Sequence, residues 1–294
     1  MFVNMELYRP FYYTAKTGSI SKAAQQLFIS QPAISHSIKQ LETKLQGQLF
    51  FRTAKGVTLT AEGEVLFTYI DQAYNLIMTA ERRIGEMQNL MSGEIKIGAS
   101  DTLCKHYLLQ HLGAFHQQFP DVRIQVTNRT TPETVKLLKD GRIDLGVVNL
   151  PIDDKQLIVR EGMVIQDCFV AGEKFRALTE EVLSLSELMN YPVILLERGS
   201  NTRVYLERYF HALDVPITPE IELGSIDLLV QFAQIGLGIA CVIKNFVQTE
   251  LEQKTLYELK LKEKIPARRI GIVTLKAVPL SVAAKKFIRL LGYD

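Results

Sequence analysis

The sequence predicts an α/β protein in three parts: a short, mainly helical module with a small β-hairpin, one long helix, and a two-lobed α/β domain. Three observations predict it. Basic charge is gathered in residues 1–60, which carry a net +5 while residues 61–294 carry −3. Residues 61–91 hold a heptad-spaced apolar run without a proline. From residue 92 onward strand-like and helix-like patterns alternate, as in βαβ units.

The chain has 294 residues, about two domains at roughly 150 residues each, enough to bury cores without disulfide or metal staples. At 47% hydrophobic and 22% charged residues it is too apolar for a mostly disordered chain. Cys104, Cys168 and Cys241 are odd in number and lie more than sixty residues apart. Neither a disulfide framework nor a zinc motif is written, and a reducing compartment is expected. No apolar run nears the roughly 18 residues of a membrane span. The first sixteen residues, with Arg9 and Pro10 among them, lack the pattern of an export signal. The expected location is the cytoplasm, with no membrane partner.

Within the basic module, Ile20, Ala23, Ala24 and Leu27 recur at i, i+3, i+4 and i+7, the stripe of a short amphipathic helix opened by Gly18 and Ser19. Ser30 is a good N-cap for a second helix, with Gln31 and Pro32 in the first turn, where backbone donors have no helical partner to lose. Ile29 and Ile34 then take the positions of a hydrophobic staple. This second helix is expected to bury Ile34, Ile38, Leu41 and Leu45 and to turn Pro32, His36, Lys39 and Thr43 outward, flanked by Gln31 and Ser35. Such short polar and basic groups suit a DNA major groove, where Gln pairs bidentately with adenine and Ser or His reaches base edges. Residues 49–52 and 56–60 read as two extended stretches around a basic turn that would lay Arg52 and Lys55 on phosphates. The whole reads as a winged helix-turn-helix. A solvated helix face is the plain alternative for the polar stripe taken alone.

The run Gly18-Ser-Ile-Ser-Lys-Ala-Ala-Gln-Gln-Leu27, then Ser30-Gln-Pro-Ala-Ile-Ser35, Ile38 with Leu41-Glu42, Leu49-Phe50 with Arg52, and Leu59-Thr60 with Glu62-Gly63 resembles the N-terminal domain of LysR-type transcriptional regulators. The resemblance implies that Ser30, Gln31, Pro32, Ser35, His36 and Lys39 face double-stranded DNA, with Arg52 and Lys55 at its backbone. Many members of that family place Arg where this chain has His36, which leaves the base read there open.

In the long helix, Leu66, Ile70, Ala73, Ile77, Ala80, Ile84, Met87 and Met91 follow in alternating steps of 4 and 3, a seam that calls for a second helix. At about 45 Å the helix is too long for one small winged domain to cover. Packing along its own C-terminal domain is the alternative to pairing. Spacing does not distinguish parallel from antiparallel pairing; the resemblance implies an antiparallel homodimer or a homotetramer, with two recognition helices on the half-sites of one operator.

Ser92-Gly93 breaks this helix. Strands are expected at 94–99, 122–128 and 143–148 with helices at 103–118 and 132–139, which predicts a parallel sheet covered on both faces. A second set follows, with strands 192–196, 220–223 and 239–242 and helices 202–213 and 226–234, then a strand at 269–275 and a helix at 278–291. Chain crossings near 159–164 and 265–270 make two lobes, which resemble the periplasmic-binding-protein-like (type 2) effector domain of the same regulators. The expected division is 1–60 for DNA binding, 61–91 for dimerisation, and 92–294 for the effector domain. Within the last, lobe 1 is about 92–162 and 270–294, and lobe 2 about 163–269.

Ligands of open α/β folds sit at the carboxyl ends of strands, where helix N-termini offer free N–H groups. Three such junctions are rich in hydroxyls: Ser100-Asp101-Thr102, Thr130-Thr131-Pro132 and Gly199-Ser200-Asn201-Thr202-Arg203. If they converge they make a site for a small anion such as a carboxylate, with Arg203 as charge partner or as a structural salt-bridge residue. The same hydroxyls are also ordinary N-caps. The resemblance favours Ser100, Thr102, Thr131, Ser200 and Thr202 as effector contacts.

Motifs for reaction chemistry are missing: there is no Gly-x-x-x-x-Gly-Lys loop, His-Glu-x-x-His pair or Gly-x-Ser-x-Gly elbow. Gly236 and Gly238 precede a strand instead of following one, so they are no dinucleotide fingerprint. His106, His111 and His116, five apart, diverge on a helix. Cys104, near a helix N-terminus, is a candidate for a lowered pKa, with a buried thiol the default. No enzyme, metal or cofactor is expected. The function expected is a LysR-type DNA-binding regulator modulated by a small metabolite between its lobes. The rivals are a metabolite-binding enzyme and a passive ligand-binding protein, each with an accessory basic domain.

Overall fold

The structure, a computed structural model, describes residues 3–53, 56–88 and 93–293, with the side chains at 83 and 86–88 outside the description. The chain divides into two compact units, Met1–Arg82 and Arg83–Asp294.

The first unit opens with α1 (Tyr8–Thr17), a helix the sequence patterning did not mark; it is closed by Gly18 at φ 64. Next come α2 (Ile20–Leu27), capped by Ser19, and α3 (Gln31–Leu45), capped by Ser30 through the amide of Ala33. Ile34, Ile38 and Leu41 of α3 pack with Phe11, Ala24, Leu49 and Phe50. Leu45, predicted to join them, is instead 39% exposed, because α3 ends there and Gln46 turns the chain away at φ 57. Ile29 is likewise exposed, beside a fully buried Ile34.

The wing is an antiparallel pair, β1 (Phe50–Thr53) and β2 (Gly56–Leu59). Gly56 has φ 138, and a Cβ there would lie 2.4 Å from the carbonyl oxygen of Gly18, which accepts the Val57 N–H at 3.0 Å. The hairpin is thus seated on the turn between α1 and α2. Glu42 accepts the Leu49 amide at 2.8 Å, and the Thr60 hydroxyl donates to the Gln48 carbonyl at 2.6 Å. These contacts give Glu42 and Thr60 a role in holding the wing.

Helix α4 (Ala61–Gln88) starts under a Thr60 cap. Leu66, Phe67 and Ile70 pack on the core of the unit, and Tyr74 stacks on Tyr12 at 4.5 Å between ring centroids. The first two members of the predicted pairing seam, Leu66 and Ile70, are therefore partly covered by their own unit. Ala73 is half-buried, while Ile77, Ala80 and Ile84 are exposed, as are Val65 and Tyr69. The side chain of Met87, and Met91 altogether, lie outside the described residues.

The second unit has two lobes. The chain runs through β3 (Glu94–Ala99), α5 (Asp101–Leu103), a π turn over Cys104–Leu108, α6 (Leu109–Gln118), β4 (Arg123–Asn128), α7 (Thr131–Lys139), β5 (Leu145–Asn149) and β6 (Leu157–Ile165). It then builds β7 (Asp167–Ala171), β8 (Val182–Leu183), α8 (Leu185–Leu188), β9 (Val193–Leu196), α9 (Asn201–Ala212), β10 (Ile221–Leu223), α10 (Ile226–Gln234) and β11 (Ile239–Ile243). After α11 (Gln248–Glu252), β12 (Tyr257–Glu258) and β13 (Lys260–Leu261), the chain returns along β14 (Arg268–Leu275) and ends in α12 (Val282–Leu290). Lobe 1 holds the sheet β4-β3-β5-β14-β6 and lobe 2 the sheet β10-β9-β11-β7-β12.

The sheets are mixed, whereas the sequence predicts parallel ones. β3, β4 and β5 are parallel, but β14 runs antiparallel to both β5 and β6. The cause is the crossing: β14 re-enters lobe 1 from lobe 2, at the end where β5 finishes, so it must run the other way. In lobe 2, β7 enters beside β11 antiparallel for the same reason.

Candidate functional site

Each unit carries a candidate surface. In the first, the buried stripe of α3 fixes what the opposite side shows. Ser30, Gln31, Pro32, His36 and Lys39 are exposed and Ser35 is half-buried. Gln31 to Lys39 spans about 12 Å of helix, comparable to a major groove. The His36 ring nitrogen Nε2 lies 2.9 Å from the Gln40 amide nitrogen, which orients the imidazole from one turn below. On the wing, Phe50 and Val57 point inward while Arg52 is exposed. Lys55, predicted to share the phosphate role with Arg52, lies outside the described residues.

In the second unit, the three hydroxyl-rich junctions do converge. A cavity of about 60 Å³ between the lobes is lined by Ser100, Asp101, Thr102, Thr130, Thr131 and Asn149 from lobe 1 and by Leu196, Ser200, Asn201, Thr202, Gly224 and Ile226 from lobe 2, with Ile243. Helices α7, α9 and α10 all begin at its wall, so their N–H ends and positive dipole ends meet there. Among the described residues no Lys or Arg lines it.

The hydroxyls have defined roles. Ser100 and Ser200 accept the amides of Leu103 (3.4 Å) and Arg203 (3.2 Å) as N-caps. Thr131 accepts the Asn149 amide at 3.3 Å, and Thr202 accepts from Arg268 Nη2 at 3.0 Å. A hydroxyl that accepts through oxygen still has its proton to donate. Thr130 is the N-cap of α7 in a capping box with Glu133; the hydrogen bonds from Thr130 hold that exposed carboxyl below its usual range. Asn201 donates its side-chain amide to the Asn149 carbonyl, tying the two lobes together across the cavity. The Asn149 side-chain oxygen is buried without a hydrogen-bond partner.

Arg203 is not part of this wall. It is buried under α9, where Nε donates to Glu207 at 2.8 Å and Nη1 to the Leu196 carbonyl and to Glu222. Of the two roles foreseen for it, the geometry gives the structural one, because two carboxylates and a strand-end carbonyl draw the guanidinium back into lobe 2. A cation touching the wall from behind lies outside the residues the sequence singles out. Arg268, at the start of β14, binds Asp167 bidentately at 2.5 and 2.8 Å, with both side chains 2% exposed, and reaches Thr202 on the cavity wall. Sequence patterning does not single out Asn149 either; its one signal is that it directly follows the strand predicted at 143–148.

Cys104 is half-buried, and its thiol donates to Asn128 at 3.3 Å. Burial, and secondarily the Asp101 carboxylate, push its pKa up to about 11, the opposite of the lowering that a helix N-terminus suggests. Alkylation of Cys104 by iodoacetamide is expected to reach half its limiting rate near pH 11; a midpoint at or below pH 8 would contradict this environment. His106 stacks on Phe246 at 4.7 Å, and burial lowers the pKa of His111. Among the described residues no group of three or more His, Cys, Asp or Glu could hold a metal ion, and no helix is long and apolar enough to cross a membrane.

Comparison with known proteins gives a consistent answer for both units. Residues 5–64 match the family described as bacterial regulatory helix-turn-helix protein, lysR family, and residues 88–293 match the LysR substrate binding domain. A probable RuBisCO transcriptional regulator from Synechocystis sp. is 27% identical over 281 residues, covering 94% of this chain and 81% of the relative. Full-length CbnR, solved with its target DNA, superposes with a TM-score of 0.67 at 17% identity, over 99% of each chain. The effector binding domain of QuiR in complex with shikimate has a TM-score of 0.60 at 17% identity, covering 68% of this chain and 95% of that one.

Proposed function

The chain belongs to the LysR family of helix-turn-helix regulators, and from that premise we propose that it is a cytoplasmic transcription regulator that binds a pseudo-palindromic DNA operator and responds to a small anionic metabolite between its C-terminal lobes. The observation that carries this reading is α3, whose exposed polar stripe of Gln31, His36 and Lys39 lies opposite a fully buried apolar one. Arg52 on the wing supports it as a phosphate contact. Two copies joined through the exposed part of α4 would present two such helices to two half-sites.

The metabolite side rests on the cavity. Three helix N-termini and the protons of Ser100, Thr131, Ser200 and Thr202 would hold a carboxylate without a cationic side chain. About 60 Å³ is well below the roughly 300 Å³ of an ordinary ligand pocket. A metabolite of ordinary size therefore enters by separating the lobes, which breaks the Asn201 to Asn149 tie. A ligand that favours the separated form shifts the chain toward it, and with it the spacing of the paired DNA-binding units. The metabolite acts as a signal and leaves unchanged, so this reading involves neither catalysis nor a cofactor.

The test separates base contacts from backbone contacts. Gln31→Ala or His36→Ala is expected to relax preference among operator variants by about 1–3 kcal/mol per contacted base pair, or roughly five- to 150-fold. Arg52→Ala is expected to weaken all duplexes alike and to flatten the dependence on salt. Binding titrations against a variant library, repeated at two salt concentrations, check both. Equal losses from all three substitutions with specificity unchanged would overturn the assignment.

A further inference from the structure

We propose that Phe28 contacts DNA, reading a thymine 5-methyl group at the edge of each half-site; the proposal rests on the assignment of α3 to the major groove. Phe28 ends α2 in the left-handed conformation at φ 55 and is 95% exposed, the most exposed large apolar side chain among the described residues. The capping itself is done by backbone: the Phe28 N–H meets the carbonyls of Ala24 and Gln25, and the Ile29 N–H returns to Ala24. Gly or Asn would close the helix in the same way with less strain. The ring does not belong to the apolar core of its unit or to the half-buried residues packed against it. The fold therefore gains nothing from an aromatic at this position.

Its place in the chain points to DNA. Phe28 lies two residues before the N-cap Ser30, within about 7 Å along the backbone, and the residues that follow, Ser30, Gln31 and Pro32, are all exposed at the N-terminus of α3. An aromatic ring beside that terminus meets the rim of the groove that the terminus enters. In a paired duplex the base faces are stacked out of reach, and the apolar group that projects into the major groove is the thymine methyl. This sets Phe28 apart from the exposed apolar residues of α4, such as Val65 and Tyr69, which lie on the helix proposed to pair with a second copy.

The experiment uses the full chain and duplexes it selects from a random pool. Each thymine of a selected duplex is replaced singly by deoxyuridine, which removes only the methyl, and affinities are measured for the wild type and for Phe28→Asn, which suits the left-handed position. One deoxyuridine position per half-site is expected to weaken wild-type binding roughly three- to tenfold, the scale of one buried methyl-sized group. Phe28→Asn should bind the parent duplex weaker by a similar factor and be indifferent to that same replacement. Its thermal midpoint should be equal or higher, since backbone strain is relieved. If both proteins respond identically to every deoxyuridine, the inference is overturned. It is equally overturned if Phe28→Asn changes the sedimentation coefficient while keeping the methyl dependence, which would assign the ring to a protein contact. A wild-type chain that enriches no duplex would instead overturn the assignment of α3, and this proposal with it.

Discussion

Asp167→Ala is expected to lower the stability of the C-terminal unit by about 3–5 kcal/mol, the usual cost of removing one partner from a buried ion pair. Asp167 and Arg268 face each other with both side chains 2% exposed, one just after β6 and the other at the start of β14, where the chain passes between lobes. Without the carboxylate the guanidinium keeps one hydrogen bond to Thr202 and the ring of Tyr205 beneath it, and its charge has no counterpart. Calorimetry or urea unfolding of the full chain reads the effect as an early transition of this unit. Replacing both partners by apolar residues of similar volume, Asp167→Leu with Arg268→Met, is expected to recover most of the loss, because no charge is then left buried. A single variant that unfolds within about 1 kcal/mol of wild type would show that water reaches the guanidinium and that the pair is not a closed strut.

Ile77→Pro should disrupt pairing without removing core. Ile77 lies in the middle of α4 and is 45% exposed, so its side chain contributes little to the fold of a single chain. A proline there removes a backbone donor and clashes with the preceding turn, at a cost of about 3 kcal/mol or more. The expected result is a chain that sediments as a monomer and loses the advantage of binding two half-sites at once, worth roughly a hundredfold or more in apparent affinity. Ile77→Ala keeps the helix and should weaken association far less. A stable, DNA-competent dimer from Ile77→Pro would refute pairing through this part of α4.

Much of the first unit was legible in the sequence. Ser19, Ser30 and Pro32 place the starts of α2 and α3 through local chemistry, since a cap needs only its own next three residues. The residues Gly18, Glu42, Thr60 and Gly63, which helped reveal the family, prove to hold the wing, α3 and α4 together: Gly63 lets the Leu49 carbonyl come within 2.2 Å of where a Cβ would stand. Such motifs are legible because a close backbone approach admits few residue types. The heptad spacing of α4 was legible too, but spacing alone does not say which partner covers a seam. Leu66 and Ile70 turn to their own unit because Phe67 and Tyr74 dock on Tyr12.

The sequence by itself determined the starts of α2 and α3, the βαβ order of residues 94–148, the basic module and the hydroxyl-rich helix starts that meet between the lobes, because each depends on neighbours within a few residues of chain. The tertiary structure alone decided that β14 runs antiparallel, that Arg203 is held by Glu207 and Glu222 away from the cavity, and that Asp167 and Arg268 form the buried pair behind it. These outcomes depend on groups far apart in the chain: Asp167 and Arg268 are separated by 101 residues, and Val273 of β14 pairs with Gly146 of β5 from still farther along the chain. A charged side chain takes the partner that burial brings to it, and burial is settled only when the lobes have closed around the crossing strands.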